Sequence, residues 1–518
     1  MTTLDTTLVE SNRLSAPDLS TSAAAAEAGE HARLLRIVLT LVCCLLVAVP
    51  FVAVRFPPVT DLPQHLAQIR LLHETIANPE SPYRIQWLTP YILAYIPLAL
   101  AWQLSPSESA GPIAMVSLAL LWTVAIHWLA FERRRPAATA VLGSMLFFNH
   151  MMYWGFYSFA MGLPVFVAWF LLTSRPETSF RRRDVPLFLV TALLLYFSHA
   201  LWLAAGMLWL VLKSVTNRVP LRTAAAQLAS CSPVLVMAAI WYPRLAERGF
   251  TSPTRWISLP SGRLSFGFLL NTVFGGLHGL TEWVAAAALA GWILLGIYQH
   301  RGRLHATIDR DLGLAGLQFM ALALFLPNLH QNTIAFASRW MPAAAIFVLL
   351  AMPAPAWKRG IRNAVAATAL AAFVMVTAVA WLRFERDEYS GLAESLAALP
   401  ANMRVIGLDY VKTSPAIKGR PFLQTFAYAQ VVRGGELNFS FAQFAPMAVV
   451  YRAPRRSAWT AELEWRAETV ERSDFVHFDY ALVNGEQSRH ASFAALPELR
   501  PVTAEGRWRL YRIGPSAR

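Results

Sequence analysis

The stretch RFPPVTDLPQHLAQIRLL, which covers residues 55–72, follows directly after the first long apolar run of the chain. It places a carboxylate, Asp61, and an imidazole, His65, four residues apart on a predicted short helix. At this spacing both side chains lie on one face of the helix. Pro57 keeps the approach extended and Pro63 favours the first turn, because proline fits the start of a helix and not its interior. The stretch therefore predicts a short helix with one polar face, which lies at the outer surface of a membrane if the chain starts in the cytoplasm and crosses once before it.

The composition is that of a membrane protein. Of the 518 residues, 56% are hydrophobic and only 15% are charged, and the mean hydropathy is +0.42, which is too apolar for a soluble protein of this size. The formal net charge is +14, but the basic residues fall in short clusters between apolar runs, where they orient helices. This distribution argues against nucleic acid as a partner. Cys43, Cys44 and Cys231 lie inside apolar segments and show no metal-binding spacing.

The apolar runs predict an all-α polytopic membrane bundle of about eleven transmembrane helices over residues 33–382. They cover residues 34–54, 110–130, 137–151, 155–173, 185–198, 201–214, 222–242, 281–299, 311–327, 337–354 and 361–382. The short runs 185–198 and 201–214 form either one long tilted helix or a pair that meets at His199. Residues 1–32 are rich in Ser, Thr and Ala without apolar periodicity, which predicts a disordered cytoplasmic tail.

Basic clusters predict the orientation of the bundle. Arginine and lysine gather at residues 33–36, 133–135, 175–183, 213–222, 301–310 and 358–362. With eleven spans all of these clusters fall on one side, which by the positive-inside rule is the cytoplasm, so the C-terminus lies outside. The count requires that Tyr91–Leu104, a short apolar run interrupted by Pro97, lies in the outer interface and does not cross. The first outer loop then covers residues 55–109.

Residues 383–518 change character, because acidic and basic residues mix and no further run is long enough to cross a bilayer. Leu392–Leu399 is predicted to be helical. Arg404–Leu408, Tyr480–Val483 and Trp508–Ile513 are predicted to be strands. These elements predict a small extracytoplasmic α/β domain.

Unusual polar residues gather at the outer ends of the predicted spans. In chain order they are Asp61, His65, His73, Glu108, Asn149, His150, His199, His278, Asn328, His330, Gln331 and Arg339. Polar groups at membrane depth are costly and usually face a cavity or a partner, so this gathering predicts a single outer cleft. His199 interrupts the apolar stretch LLLYFSHALWLAAG, where a buried imidazole needs a partner. Arg339 in FASRWMP either extends its charged end to the interface or places, at the mouth of a cleft, the kind of cation that a phosphate-bearing lipid requires.

Four of these residues carry oxygen and imidazole groups that suit a divalent metal such as Mg, Mn or Zn. They are Asp61, His65, Glu108 and His199. Asp61, Glu108 and His199 are the predicted ligand set. No compact metal motif such as HExxH is present in the sequence.

Taken in order, these features resemble the GT-C superfamily of integral-membrane glycosyltransferases. The resemblance rests on Asp61 in PPVTDLPQH after the first span and on Glu108 leading the next span. It also rests on the histidine of YFSHALW, His199, and on the arginine of FASRWMP, Arg339, which opens a late span. The final outer domain ends in WRLYRI, residues 508–513, which is similar to many bacterial members.

The resemblance implies transfer of a sugar from a polyprenyl-phosphate-linked donor to an acceptor glycan, lipid or protein, with inversion, on the outer face of a bacterial-type cytoplasmic membrane. It implies that Asp61 acts as general base or helps to hold a metal, with His65 and Glu108 in the same catalytic set. Arg339, together with His199, stabilises the departing lipid phosphate. The predicted cleft-lining residues are Asn149, His150, His278, His330 and Gln331.

Two other interpretations stay open. The first is a transporter or flippase for a lipid-linked or other anionic substrate, which predicts inverted repeats and broken helices near the midplane. The second is a non-catalytic envelope assembly protein on a GT-C-like frame. It is suggested by the first outer loop, where many relatives carry paired acidic residues but Asp61 is flanked by Thr60 and Leu62.

Overall fold

The computed structural model describes residues 19–175, 180–244, 253–331, 333–453 and 457–514. The helices of the bundle and its loops are α1 (Leu19–Ala53), α2 (Leu62–Ala77), α3 (Ile92–Leu104), α4 (Ala110–Glu132), α5 (Ala137–Ser144), α6 (His150–Trp154), α7 (Tyr157–Ala160), α8 (Gly162–Thr173), α9 (Val185–Ser198), α10 (Ala200–Thr216), α11 (Leu221–Trp241), α12 (Pro260–Arg263), α13 (Phe266–Val273), α14 (Thr281–Gln299), α15 (Leu304–Thr307), α16 (Arg310–Phe325), α17 (Met341–Ala351) and α18 (Arg359–Glu388). The outer domain adds α19 (Leu392–Ala398), α20 (Tyr428–Arg433) and α21 (Gln487–Ala494).

Within the described ranges, five helical segments are long and apolar enough to cross a membrane. They are Arg33–Ala53, Ala110–Glu132, Leu221–Trp241, Thr281–Gln299 and Arg359–Glu388. Shorter apolar helices cover Ile92–Leu104, Tyr157–Thr173, Ala200–Thr216 and Ser338–Ala351. Helix α3 has 13 residues and is therefore about 20 Å long, which is less than the thickness of a bilayer core, as the sequence predicted for this run. The total of eleven spans stays a prediction.

The observed ends of the helices can be compared with three segments predicted from the sequence. Residues 19–32 are helical and belong to α1, so the predicted disordered tail is wrong there, while residues 1–18 lie outside the described part of the chain. Helices α9 and α10 are a pair that meets at His199, whose extended backbone separates them. The predicted span 137–151 is not one helix, because α5 ends at Ser144 and Asn149 starts the next helix as its N-cap.

Charged residues close one end of the bundle. Arg133, just after α4, lies 2.7 Å from Asp309 and 3.2 Å from Asp311, at the start of α16. Lys213, in the last turn of α10, lies 3.0 Å from Asp311. His199 begins α10 and therefore lies at the opposite end of the bundle from this ionic cluster.

Two buried tryptophans hold the backbone beneath the opposite end. The indole N–H of Trp122 donates to the carbonyl of Ala160 at 2.7 Å, and that of Trp202 donates to the carbonyl of Phe159 at 2.7 Å. Both indoles are almost completely buried, so these hydrogen bonds satisfy polar groups that water does not reach. The position of Phe159 is thereby set by the helices around it.

The outer domain is built on a five-stranded mixed sheet with the order β3-β2-β5-β7-β6. Its strands are β2 (Arg404–Asp409), β3 (Glu436–Leu437), β5 (Tyr480–Asn484), β6 (Leu499–Pro501) and β7 (Trp508–Ile513). Strand β2 pairs in parallel with β3 and β5, and β7 pairs antiparallel with β5 and β6. The predicted helix and the three predicted strands are confirmed to within one residue at each end.

The first outer loop and the outer domain are joined by a second, two-stranded sheet. Strand β1 (Tyr83–Ile85) pairs antiparallel with β4 (Val449–Tyr451), so that Arg84 lies opposite Val450. Helix α2 also packs against α20. The loop after the first helix and the last domain of the chain therefore lie on the same side of the bundle.

Candidate active site

A cavity of about 320 Å³ lies between the bundle and the outer domain. Its lining residues come from the first outer loop, from the chain around α6 and α7, from the starts of α10 and α17, and from the outer domain. Asp61, His65, His199 and Arg339 all line it. The structure thus brings together four of the residues that the sequence singled out, although they are far apart along the chain.

The backbone of Asp61 is fixed by the aromatic segment around α6. Its N–H donates to the carbonyl of Trp154 at 3.1 Å, and the N–H of Thr60 donates to the carbonyl of Tyr153 at 2.9 Å. Gly155 follows in the left-handed conformation, with φ +78°, and a Cβ at this position would lie 2.7 Å from the Asp61 nitrogen. Only glycine allows this close approach without strain.

The carboxylate of Asp61 has no protein partner in the described part of the chain, where it accepts no hydrogen bond and forms no ion pair. Burial raises the pKa of the Asp61 carboxyl well above its usual range, and the nearby guanidinium of Arg339 opposes this by lowering it. A carboxylate with these surroundings is available for proton transfer or for binding a ligand.

Arg339 lines the cavity and has 4% of its surface exposed. Its Nη2 donates to the carbonyl of Ile334 at 2.6 Å and its Nε to that of Ala335 at 3.3 Å. The guanidinium lies 4.4 Å from the ring centroid of Phe156 and 5.0 Å from that of Phe159. Carbonyls and aromatic faces hold the cation in place, and no carboxylate in the described ranges forms an ion pair with it, which suits an anionic ligand.

His199 is oriented by its role at the start of α10. Its Nδ1 accepts a hydrogen bond from the N–H of Leu201 at 3.2 Å, and its ring packs against those of Tyr91 and Phe159, with centroids 4.6 and 5.4 Å away. When Nδ1 is the acceptor, the proton of the neutral ring lies on Nε2. His199 therefore has one N–H group left to donate to a ligand in the cavity.

His65 is held more tightly. Its Nδ1 lies 3.4 Å from the hydroxyl of Tyr95, and its ring packs against those of Tyr95, Tyr157 and Phe441. Burial lowers the pKa of His65 to about 4, so the ring is neutral at neutral pH. The aromatic neighbours fix the orientation of this neutral ring, which forms part of the cavity wall beside Asp61.

Glu108 does not lie with these residues. It is not among the residues that line the cavity, and its carboxylate lies 2.7 Å from Nη2 of Arg55. The backbone N–H groups of Arg55 and Phe56 both donate to the carboxylate of Glu385 at 2.7 Å. Glu108 thus helps to fix the start of the first outer loop, and we do not include it in the proposed site.

The predicted cleft-lining residues also lie outside the cavity wall: Asn149, His150, His278, His330 and Gln331. The amide oxygen of Asn149 caps α6 by accepting from the N–H groups of Met151 and Met152. The ring of His150 packs near that of Trp154, with centroids 6.1 Å apart. These two residues stabilise α6 and the ring of Trp154, and neither lines the cavity.

The other three occupy the loops around the cavity. His330 pairs with the hydroxyl of Thr254 at 2.9 Å, and Gln331 donates to the hydroxyl of Tyr242 at 2.7 Å. The backbone N–H of His278 donates to an outer-domain carbonyl at 3.0 Å. These hydrogen bonds stabilise loops. A polar group at a helix end can satisfy its hydrogen bonds within a loop as well as in a ligand site, so its sequence position alone does not decide between the two.

The outer domain contributes cavity residues that sequence reasoning missed. They include Gln424, Phe439, Phe441, Met447, Glu462, Glu464 and Trp465. The acidic and aromatic cluster ELEW at residues 462–465 is the sequence signal that points to this wall. Nothing local to that cluster indicates that it faces Asp61.

The predicted metal ligands do not assemble. No group of three or more His, Cys, Asp or Glu residues in the described ranges is arranged to hold a metal ion. Of the predicted set, Asp61 and His199 line the cavity, but Glu108 is paired with Arg55. The three predicted ligands therefore do not share one site among the described residues.

One solved membrane protein shares the architecture described above along nearly its whole length. It matches with a TM-score of 0.52 and 12% sequence identity, over 95% of this chain and 99% of its own. The present chain therefore has the fold of that protein, the GT-C fold that the sequence resemblance implied, and its long apolar helices are those of a multi-pass membrane protein. The solved protein is ArnT from Cupriavidus metallidurans in the apo state.

Two further solved structures match at lower TM-scores. The arabinofuranosyltransferase AftD from Mycobacteria matches with a TM-score of 0.47 and 15% identity, over 94% of this chain and 40% of its own. ArnT from Cupriavidus metallidurans bound to undecaprenyl phosphate matches with a TM-score of 0.48 and 13% identity, over 93% and 98%. No family model matches the sequence, and no curated protein matches it.

Proposed function

We propose that this chain is a glycosyltransferase that takes a sugar from a polyprenyl-phosphate-linked donor and transfers it, with inversion, to an acceptor on the outer face of the cytoplasmic membrane. The observation that carries the proposal is the meeting of Asp61, Arg339 and His199 in one cavity. A carboxylate without a protein partner lies there with a buried cation and an imidazole N–H. These are the groups that proton removal from an acceptor and stabilisation of a leaving phosphate require.

In the proposed reaction, the Asp61 carboxylate accepts the proton of an acceptor hydroxyl. The hydroxyl oxygen attacks the anomeric carbon of the donor, and the bond from that carbon to the phosphate oxygen breaks. The electron pair leaves with the lipid phosphate, whose charge is stabilised by the Arg339 guanidinium and by the Nε2–H of His199. Attack from the face opposite the phosphate inverts the configuration at the carbon.

The proposed orientation places the N-terminus in the cytoplasm and the outer domain outside. It is supported by the ionic cluster of Arg133, Lys213, Asp309 and Asp311, which gathers at the end of the bundle opposite the cavity. Basic residues at one end and a ligand cavity at the other follow the positive-inside rule. A transporter requires polar groups near the midplane, so the location of the cavity at one end favours transfer over transport.

The test compares the wild type with Asp61→Asn in lipid nanodiscs, using a panel of polyprenyl-phosphate sugars and envelope membranes as the source of acceptor. Release of polyprenyl phosphate is measured. We expect Asp61→Asn to reduce turnover by about 100-fold or more, the usual contribution of a general base. Glu74→Gln is the matched control, because Glu74 lies on the same helix and pairs with Arg70 at 2.6 Å. Equal turnover by wild type and Asp61→Asn contradicts the proposal.

A further inference from the structure

The outer-domain segment Glu462–Trp465 forms a wall of the cavity that no role above uses. Leu463 is 1% exposed and packs in the core of the outer domain, and Ala467 is completely buried in the same core. Glu464 and Trp465 lie between these two anchors, half-buried, and both line the cavity. Because Leu463 and Ala467 are packed in the domain core, the backbone between them is fixed, and it holds the two side chains at the cavity.

A tight turn sets the direction of the segment. Glu462 has a positive φ of 61°, which is uncommon for a residue with a side chain. Its carbonyl accepts hydrogen bonds from the N–H of Trp465 at 2.9 Å and from that of Arg466 at 2.8 Å. Such a backbone conformation persists only where the surrounding structure enforces it, so the packing of the outer domain fixes this turn in the cavity wall.

The two sides of the cavity carry different charged groups, and on the outer-domain side Glu462 is paired with Arg466 at 3.6 Å. Arg339 lies on the bundle side, and Glu462 and Glu464 lie on the outer-domain side. Burial, together with the charge of Glu462, raises the pKa of Glu464 to about 7. A lipid phosphate is attracted to Arg339, whereas the Glu464 carboxyl offers it no positive charge, so we assign the outer-domain side to the second substrate.

Aromatic faces accompany the carboxylate. Trp465 and Trp154 both line the cavity, and the guanidinium of Arg420 lies 5.9 Å from the Trp465 ring centroid. A flat indole offers an apolar face to the C–H groups of a sugar ring, while a nearby carboxyl pairs with the ring hydroxyls. An aromatic face with one convergent polar group is the usual composition of a small-molecule site.

We propose that Glu464 and Trp465 form the acceptor subsite and that the acceptor is a carbohydrate. The Trp465 indole stacks on a neutral sugar ring, and the Glu464 carboxyl pairs with its hydroxyls, which directs one hydroxyl of that ring toward Asp61. This inference deepens the proposed function and rests on it for the direction of transfer, but not for the binding of the sugar itself.

The test measures sugar binding separately from transfer. The full chain in nanodiscs is titrated with neutral mono-, di- and trisaccharides and, separately, with undecaprenyl phosphate, and binding is followed by saturation-transfer NMR. We expect Glu464→Gln and Trp465→Ala each to weaken saccharide binding about tenfold, the effect of losing one charge-assisted hydrogen bond or one stacking face. Undecaprenyl phosphate binding stays at the wild-type level, and Trp465→Phe retains most of the saccharide affinity.

Glu468→Gln is the matched control, since Glu468 lies three residues after Trp465, pairs with Lys412 and does not line the cavity. Three results overturn the inference: no saccharide binds the wild type, Glu468→Gln loses as much affinity as Glu464→Gln, or only positively charged aminosugars bind. Asp61→Asn distinguishes the two proposals. If it binds saccharide normally and the wild type shows no transfer, the proposed function and the acceptor role fail, and only the saccharide-binding site stands.

Discussion

The chemistry proposed for this protein depends on how one residue, Asp61, is held. Its nitrogen is bound to the carbonyl of Trp154, and Gly155 packs against it so closely that no side chain fits between them. The carboxylate itself is left for a ligand, and the counter-charge of Arg339 lies in the same cavity. The position of the base is therefore determined by a glycine that carries no functional group.

We expect Gly155→Ala to impair transfer and to destabilise the fold by about 1–3 kcal/mol. Both effects follow from forcing a Cβ into the left-handed conformation and against the Asp61 nitrogen. Thermal unfolding in detergent and turnover per folded molecule measure the two effects. Gly262→Ala is the control, because a Cβ at Gly262 has no atom within 4 Å. Full activity in Gly155→Ala would show that Asp61 tolerates displacement.

At the level of elements, α2 connects the membrane bundle to the outer domain. Its buried Gln64 donates from Nε2 to the side-chain oxygen of Gln424 at 3.0 Å and to the carbonyl of Phe439 at 3.3 Å. Its Oε1 accepts from the N–H of Phe441 at 3.1 Å. Since Gln424, Phe439 and Phe441 all line the cavity, one side chain of α2 holds much of the outer-domain wall in place.

Gln64→Ala should therefore destabilise the protein by about 3 kcal/mol, because buried donors and acceptors lose their partners. Turnover should fall as well, since the outer-domain wall loses its link to the helix that carries Asp61. Chemical unfolding and the transfer assay provide the measurements. Gln487→Ala, at an exposed position of α21, serves as the comparison. Wild-type stability in Gln64→Ala would mean that the sheet of β1 and β4 and the packing of α2 against α20 keep the domain docked without these hydrogen bonds.

On the scale of the whole molecule, the two ends of the bundle have separate tasks. One end carries the cavity and the outer domain, and the other is tied together by ion pairs that join α4, α10 and α16. Helix α10 connects the ends, with His199 at its start and Lys213 in its last turn. Stability and chemistry are thus supplied by different parts of the structure.

Because of this separation, Asp311→Asn should lower stability without changing turnover per folded molecule. Lys213, whose side chain is 6% exposed, and Arg133 both lose a charged partner, at a cost of about 2 kcal/mol. Unfolding and turnover are measured on the same preparations. Asp387→Asn, at an exposed ion pair with Arg386, should change neither. A loss of turnover in folded Asp311→Asn would show that the two ends are coupled.

The amino-acid sequence by itself determined most of the elements of this protein. Helices such as Leu221–Trp241 and Thr281–Gln299 and the strand Trp508–Ile513 lie where hydrophobic runs and alternation predicted them. The break at His199 was one of two local alternatives. These features depend on neighbouring residues, since the period and length of an apolar run are properties of a short stretch of chain.

Only the tertiary structure decided which polar groups share a site. Asp61, His199 and Arg339 meet, whereas Glu108, the second acid that the sequence singled out, pairs with Arg55. Glu464 enters the cavity from a domain whose docking no local pattern specifies. A polar side chain at a helix end satisfies its hydrogen bonds as a cap, in an ion pair or in a cavity, and the packing of distant elements selects among these outcomes.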